Sequence, residues 1–240
     1  MSFERDLLRL NEKESPSQLW AFCVKTGRSL GFRATIYACP PPHKKPTHKD
    51  TIIRYRGMSD AEFQKFAVEG LVAQGHLTTS NSITNAKAIR WLDLAQLTPE
   101  KARFTELKID ANRQGIDDGW LFPLFGPQAR VGLASLGLPN QADLMRTEIG
   151  DKFQIFAQMA HLRFCQLTPD QFEIEKPLSR REMQIVALVA MGKSNSEIGM
   201  ILNISENSID TYMRRAFIKL DVHDRTSAAV KAISLDIIRT

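Results

Sequence analysis

Residues 194–220 read SNSEIGMILNISENSIDTYMRRAFIKL, and the caps and apolar residues of this stretch decide the fold of the region. Ser194 and Glu197 form a capping box, in which the serine hydroxyl and the glutamate carboxylate each accept from a backbone amide at the start of a helix. Ser205 is an equally favourable N-cap further along. Only Asn203-Ile204 separates the two apolar stretches. The sequence therefore predicts two short helices joined by a tight turn.

The helix that begins at Ser205 has two faces of opposite character. One face is a continuous apolar stripe at helical spacing, made of Ile209, Tyr212, Met213, Ala216, Phe217 and Leu220. The other face offers hydrogen-bond donors, namely Asn207, Thr211, Arg214, Arg215 and Lys219. Such donors suit phosphate oxygens, and arginine also suits the guanine edge in the major groove. The pattern predicts a helix-turn-helix that binds double-stranded DNA, although a small helical bundle with a solvated charged face would show the same periodicity.

Signals before this stretch show where the helical region begins. Ser179 and Glu182 form another capping box, and Gly192 lies where the end of that helix favours a left-handed residue. Residues 166–177 include two prolines and several charges, a composition typical of a linker. We therefore predict an all-helical domain over residues 178–240, a linker over 166–177 and a separate domain over 1–165.

Four motifs of the helical region resemble a known family. They are LSRREMQIV at 178–186, GKSNSEI at 192–198, LNISENSI at 202–209 and KLDVHDRTSA at 219–228. At this spacing they look like the four-helix DNA-binding domain of LuxR-type regulators. The resemblance implies that the third helix enters the major groove and that a fourth, beginning near Thr226, helps to form a dimer. The candidate DNA-binding residues are then Ser205, Asn207, Asp210, Thr211, Arg214, Arg215 and Lys219.

Asp210 departs from the pattern of that family, which usually carries a neutral or basic side chain at this exposed position. A carboxylate facing phosphates repels them unless it accepts from a cytosine amino group or pairs with Arg214. Asp210 therefore leaves the target DNA sequence open.

The first 165 residues mix helix and strand signals. We predict a helix from Ser15-Pro16, strands at 34–39 and 51–56, a helix from Ser59 to about Gln74, a helix from Thr98-Pro99, strands at 120–124 and 131–136 paired across Gly126-Pro127, and a long amphipathic helix near 141–164. This order predicts an α+β domain in which helices flank an antiparallel sheet.

A second resemblance concerns this first domain. Trp91 precedes Gly119 by 28 residues, and Gly119 lies in the motif GIDDGWLFP at 115–123. The tryptophan and the G-x-x-x-G-x-x-x-P pattern look like the autoinducer-binding domain of acyl-homoserine-lactone receptors, an α/β/α sandwich. A phosphoacceptor receiver domain, the other common partner of such a helix-turn-helix, does not fit this order of elements.

The ligand residues that this resemblance implies are mostly replaced. Counting back from Trp91 without gaps, the family's ligand-site tryptophan, tyrosine, aspartate and proline fall at Phe63, Ala67, His76 and Leu77. A phenylalanine has no donor for the lactone carbonyl, whereas a neutral histidine can still accept from the signal's amide. The candidate pocket residues are Phe63, Ala67, His76, Trp91, Gly119 and Ser135, the last matching a hydroxyl position near the acyl carbonyl. Core packing explains the aromatic residues equally well, and a surface position explains the histidine.

Composition narrows the remaining classes. The 240-residue chain has a net charge of +5, no apolar run near the roughly 20 residues that a membrane span needs, and no signal-peptide pattern, so we predict a cytoplasmic protein. Its three cysteines are widely spaced and predicted to be reduced. Cys39, His43 and His48 make a poor metal site, no cofactor motif is present, and no catalytic motif favours an enzyme.

Two functions stay open on these grounds. The first is a dimeric transcription regulator of the LuxR quorum-sensing type that binds promoter DNA, with a sensor domain that takes a non-standard ligand or none. The second is an antiactivator that forms a heterodimer with a true lactone receptor and blocks its DNA binding. Specific DNA binding by the homodimer separates the two.

Overall fold

The computed structural model describes residues 3–42, 51–63, 87–91, 118–138, 147–169 and 177–239. These residues divide into two units, one built almost entirely from the chain up to Pro169 and the other mainly from the chain beyond it. Each unit has an apolar core of its own. The limits of the domains and the linker given above remain predictions.

The first unit combines helices with one sheet. Its helices are α1 (Phe3–Leu10), α2 (Pro16–Ser29), the short α3 (Asp60–Phe63) and α4 (Thr147–Leu167). Its strands are β1 (Ala34–Cys39), β2 (Ile52–Arg56), β3 (Ile89–Arg90), β4 (Asp118–Phe125) and β5 (Val131–Leu138). The strands pair antiparallel in the order β2-β1-β5-β4-β3. The predicted α+β class is confirmed.

Strand register divides the side chains of the sheet between two faces. Tyr37 pairs with Ala134, and Ala134 pairs with Phe122, so these three residues share one face. Helices α1, α2 and α4 pack on this face, which is called the helix-covered face below. Their residues in the core are Leu10, Leu19, Phe22, Phe153, Phe156 and Phe164. The opposite face, here the second face, carries Ile36, Gly119 and Ser135.

Most elements predicted for the first unit are confirmed. Ser15 caps α2 by accepting from the amide of Gln18, and β1 has the predicted limits. The predicted end of the long helix, at residue 164, is too early, because α4 continues to Leu167. Helix α1 was not predicted. The helix from Thr98-Pro99 and the part of the Ser59 helix beyond Phe63 lie outside the described residues.

The turn between β4 and β5 lies where it was predicted. Its left-handed backbone is at Gln128 and Ala129, with φ of 56° and 55°, and not at a glycine. Gly126 is needed for room instead, since a Cβ there would lie 2.9 Å from both the Cys165 sulfur and His161 Nε2. The turn is therefore fitted closely against α4.

The second unit is helical, as predicted, with α5 (Arg180–Ala190), α6 (Asn195–Leu202), α7 (Glu206–Leu220) and α8 (Arg225–Ser234). Both predicted capping boxes form, and Ser205 accepts from the amide of Ser208 at the start of α7. Gly192 is left-handed, with φ of 79°. Helix α8 begins at Arg225, one residue before the predicted start, because Asp224 is its N-cap.

The predicted apolar stripe of α7 forms the centre of the second core. Ile209, Met213, Ala216 and Leu220 are buried, and Tyr212 and Phe217 are partly buried against them. Ile185 and Val186 of α5 are fully buried in the same cluster. The opposite side of α7 is therefore left facing solvent.

Candidate functional site

The solvent-facing side of α7 carries most of the predicted DNA contacts. The exposed candidates are Ser205, Asn207, Asp210, Thr211, Arg214 and Arg215. Within the described residues, the Arg214 guanidinium makes no hydrogen bond or ion pair. The Arg215 guanidinium lies 5.9 Å from the ring centroid of Tyr212, a contact that leaves its N–H donors available. This side can therefore offer both arginines to a polyanion.

Two of the candidates also hold the helix together. The Ser205 hydroxyl accepts from the amide of Ser208 at 3.2 Å, and the Thr211 hydroxyl donates to the carbonyl of Asn207 at 2.9 Å. Their hydroxyl groups are thus already oriented by α7 itself.

The turn between α6 and α7 is tight because of two particular residues. Asn203 is left-handed, with φ of 52°, a conformation that asparagine tolerates better than most residues. The amide of Ile204 then donates to the carbonyl of Gly199 at 3.1 Å, and a Cβ on Gly199 would come within 2.8 Å of the Ile204 carbonyl oxygen. The turn places α7 directly after α6, as a helix-turn-helix requires.

Asp210 has a partner that the sequence did not suggest. Its carboxylate accepts from Nδ2 of Asn195, in the first turn of α6, at 2.7 Å. The pairing with Arg214, one of the alternatives that the sequence left open, is not present in this arrangement. The bond joins the two helices of the motif and occupies one carboxylate oxygen, but the negative charge stays on the exposed side of α7.

Lys219 is bound within the protein rather than free on the surface. Its ammonium lies 2.7 Å from Oε2 of Glu182, a residue that is only 3% exposed and that also caps α5. Burial raises the pKa of Glu182, but the Lys219 ammonium and the Ser179 amide outweigh it, and the pKa lies below its ordinary value. The side chain predicted to contact DNA thus neutralises a buried carboxylate.

On the second face of the sheet, Trp91 meets Ser135. The indole Nε1 donates to the Ser135 hydroxyl oxygen at 3.1 Å, and both residues are buried. The Trp91 ring lies directly on Gly119, where a Cβ would fall 2.5 Å from Cε2 of the indole and 2.4 Å from the Leu136 carbonyl oxygen. The structure therefore brings these three candidate pocket residues together and explains why the glycine accompanies the tryptophan.

The backbone beside Trp91 is fixed by an ion pair. Arg90 donates to Oδ2 of Asp118 at 2.7 Å, and Oδ1 of the same carboxylate accepts from the amide of Gly119 at 2.8 Å. The pair connects β3 to β4 and holds Trp91 over Gly119.

Phe63 lies on the second face as well. Its ring stacks on that of Tyr55, with centroids 3.8 Å apart, and it packs against Ile36. Tyr55 in turn donates its hydroxyl hydrogen to Asp60. Ala67 and His76 lie outside the described residues, so their role as pocket residues stays a prediction.

A buried polar network on the helix-covered face was not foreseen. The guanidinium of Arg130, which is 2% exposed, donates to the carbonyls of Cys165, Thr168 and Pro169 at 2.8–3.0 Å. A cation at these carbonyls is favoured by the dipole of α4. The sequence signal was an arginine immediately before an apolar strand.

His161 connects this arginine to the sheet. Its Nε2 lies 2.9 Å from the carbonyl of Arg130, and its Nδ1 lies 2.9 Å from the Tyr37 hydroxyl. Because a carbonyl can only accept, Nε2 carries the hydrogen and Tyr37 donates to Nδ1. Burial lowers the pKa of His161, which favours the neutral ring.

Within the described ranges, no group of three or more His, Cys, Asp or Glu residues could hold a metal ion. No helix in these ranges is long and apolar enough to cross a membrane. Cys23, Cys39 and Cys165 are free thiols. His43 and His48 are outside the described residues.

An α+β unit followed by a helix-turn-helix unit defines a class of regulators that join a sensor to a DNA reader. Residues 15–164 match the autoinducer binding domain, and residues 176–232 match the bacterial regulatory proteins of the luxR family. The first match alone covers more than half of the chain. The chain belongs to the LuxR-type family of quorum-sensing transcription regulators.

Individual relatives agree with this assignment. Putative HTH-type transcriptional regulator y4qH of Sinorhizobium fredii is 34% identical over 64% of this chain and 47% of its own. The quorum sensing-dependent regulator RpaR of Rhodopseudomonas palustris is 30% identical over 52% of this chain and 50% of its own. The chain thus spans about half the length of these two relatives. The crystal structure of Escherichia coli SdiA aligns with 99% of this chain over 98% of its own length, at 18% sequence identity. The TM-score of 0.74 shows a shared fold.

Proposed function

We propose that this protein is a dimeric, cytoplasmic transcription regulator that binds double-stranded promoter DNA through α7. The observation that carries the proposal is the exposed side of α7, where Arg214 and Arg215 have donors available opposite a stripe whose residues are buried or partly buried. Exposed donors on the second helix of such a motif are positioned for the major groove. The names of the relatives, which describe transcription regulators, support the same reading.

The test is to select a duplex from a random-sequence pool with the full-length protein and to measure binding by mobility shift. Arg214→Ala should weaken binding to the selected duplex by about 1–3 kcal/mol, because one base or phosphate contact is lost. Arg180→Ala is the matched control, since Arg180 is exposed on α5 of the same unit. If the two variants bind the duplex equally well, α7 does not face DNA.

The sensor unit, in this proposal, binds ordinary acyl-homoserine lactones weakly or not at all. Phe63 has no donor for a lactone carbonyl, and the Trp91 indole is already bound to Ser135. An unpaired buried carbonyl costs about 1–3 kcal/mol. Ser135 can still donate its own hydrogen to an acyl carbonyl, since it accepts from Trp91. A melting temperature raised by several degrees at micromolar lactone would contradict this proposal.

One observation favours the antiactivator as a second candidate. Asp210 keeps a negative charge on the exposed side of α7, where DNA phosphates would approach. If charge is what prevents binding, Asp210→Lys should create affinity for DNA with a steep salt dependence, because each added phosphate contact releases counterions. Specific binding by the wild-type homodimer would exclude the antiactivator, whereas its absence together with capture of a lactone receptor would favour it.

A further inference from the structure

The helix-covered face of the sheet holds a cavity that is distinct from the candidate lactone pocket on the second face. It lies between α2, α4 and strands β1, β2, β4 and β5. Its walls include Leu19, Cys23, Phe122, Phe156 and Phe164. Phe63, Trp91 and Ser135 do not line it, since they lie on the second face of the same sheet.

The interior of this cavity is apolar and of limited size. Its volume is about 70 Å³, compared with roughly 150 Å³ for an apolar cavity that stays dry and binds benzene. Burial raises the pKa of the Cys23 thiol to about 12, so this wall is uncharged. At the Tyr37 side of the cavity, the hydroxyl group and the His161 ring bind each other. The interior therefore suits a short hydrocarbon rather than water.

Arg54 gives the cavity one polar end. Among the described residues that line the cavity, Arg54 alone carries a full positive charge, and none is acidic. It lies on β2, an edge strand, and is partly exposed. Its Nε is nevertheless buried and has no hydrogen-bond partner within the described part of the chain. A buried donor without an acceptor is costly, and a carboxylate would supply that acceptor.

We propose that this cavity is a second ligand site, which takes an unbranched carboxylic acid of about three to four carbons with its carboxylate on Arg54. The hydrocarbon end lies among Leu19, Phe122 and Phe156, where only apolar contact is available. The proposal does not depend on DNA binding or on the lactone site, so its failure would leave the proposed function unaffected.

The test measures binding of butanoate to the full-length protein by calorimetry and by the shift in melting temperature. Arg54→Gln should weaken butanoate binding about tenfold or more, because the charge-assisted bond is lost. Arg56→Gln is the matched control, since Arg56 is two residues along the same strand, exposed, and not part of the cavity lining. It should bind butanoate like the wild type. Butan-1-ol, which lacks the charge, should bind Arg54→Gln and wild type equally.

A second variant locates the hydrocarbon chain. Cys23→Leu fills part of the cavity with added methyl groups and should abolish binding of both butanoate and butan-1-ol while keeping or raising the melting temperature. The proposal is overturned if wild type does not bind butanoate, if Arg54→Gln and Arg56→Gln lose the same affinity, or if Cys23→Leu binds as well as wild type.

Discussion

The N-termini of the helices in the second unit and the C-terminus of α4 in the first unit are satisfied from different distances along the chain. In the second unit every helix starts on a side chain that accepts from an amide three residues later, as Ser179, Ser194, Ser205 and Asp224 do. In the first unit, the end of α4 is held by Arg130, which precedes its carbonyl partners by 35 to 39 residues. Gln154 and Gln158 of α4 likewise bind backbone groups of β4.

This difference indicates that the packing of α4 in the first unit depends on a few buried polar groups, above all the Arg130 guanidinium. A local cap is formed as soon as its helix forms, and the loss of one cap costs about 1 kcal/mol. A buried guanidinium that serves three carbonyls is formed only when the sheet and α4 are already together, and it has no substitute. We therefore expect single substitutions to affect the first unit more severely.

The largest effect is expected from Arg130→Met. Methionine fills much of the arginine volume but leaves the carbonyls of Cys165, Thr168 and Pro169 without their donors, at a cost of about 1–3 kcal/mol for each carbonyl that stays buried. The measurement is the free energy of unfolding of the full-length protein in guanidinium chloride, followed by circular dichroism. Arg163→Met is the control, because Arg163 is partly exposed and donates to one backbone carbonyl, that of Lys13, and to the exposed side chain of Gln166. Equal losses in the two variants would contradict the comparison.

Gly119→Ala tests the contact beneath Trp91 and should cost about 2–3 kcal/mol. The new methyl group would lie 2.5 Å from the indole and 2.4 Å from a backbone oxygen, so a packed ring and a strand must both shift. Gly192→Ala in the second unit has a φ of 79° but nothing within 4 Å, and its cost should be only about 1 kcal/mol of backbone strain. Melting temperatures compare the two, and a larger loss for Gly192→Ala would break the pattern.

Lys219→Met tests the long-range ion pair of the second unit, where we expect a loss of about 1–3 kcal/mol. The buried Glu182 carboxylate would keep its amide partner at Ser179 but lose its cation. The double variant Lys219→Met with Glu182→Gln should recover part of the stability, because it removes the unpaired charge. If Lys219→Met instead keeps full stability and only weakens DNA binding, Lys219 is a contact residue as first predicted.

Acid should affect the two units in different pH windows, with the smallest effects of this series. His161 has a lowered pKa in the folded protein, so its contribution is present above its ordinary value of 6.5 and is lost as the pH falls from there towards the folded value. Glu182 also has a lowered pKa, and its contribution is lost only below 4.5. Unfolding free energies measured from pH 7.5 to 3.5 should show both steps in wild type. The first step should disappear in His161→Gln and the second in Glu182→Gln.

The elements that could be predicted from sequence are those whose signals are local. The N-caps at Ser15, Ser179, Ser194 and Ser205 each act on an amide three residues away and were recognised directly. Helix α1 was missed, although Phe3, Leu7 and Leu10 lie at helical spacing and pack on the core. The end of α4 was misplaced because the residue that extends it, Arg130, lies in another element.

The candidate site divides in the same way. Arg214 and the buried stripe of α7 follow from periodicity, which shows which side of a helix is exposed. Periodicity does not show what an exposed residue meets, so the bonds from Lys219 to Glu182 and from Asp210 to Asn195 were not foreseen. Trp91 was placed beside Gly119 by resemblance alone, and the close contact of ring and backbone supplies the reason.

The placement of Trp91 in the first unit, together with the other two tryptophans, has a consequence for spectroscopy. Its three tryptophans, Trp20, Trp91 and Trp120, all belong to the first unit, and the second unit has Tyr212 as its aromatic chromophore besides phenylalanine. Indole emission therefore reports only on the first unit, whereas far-ultraviolet circular dichroism reports on the helices of both units. The first unit can thus be followed alone, without any added dye.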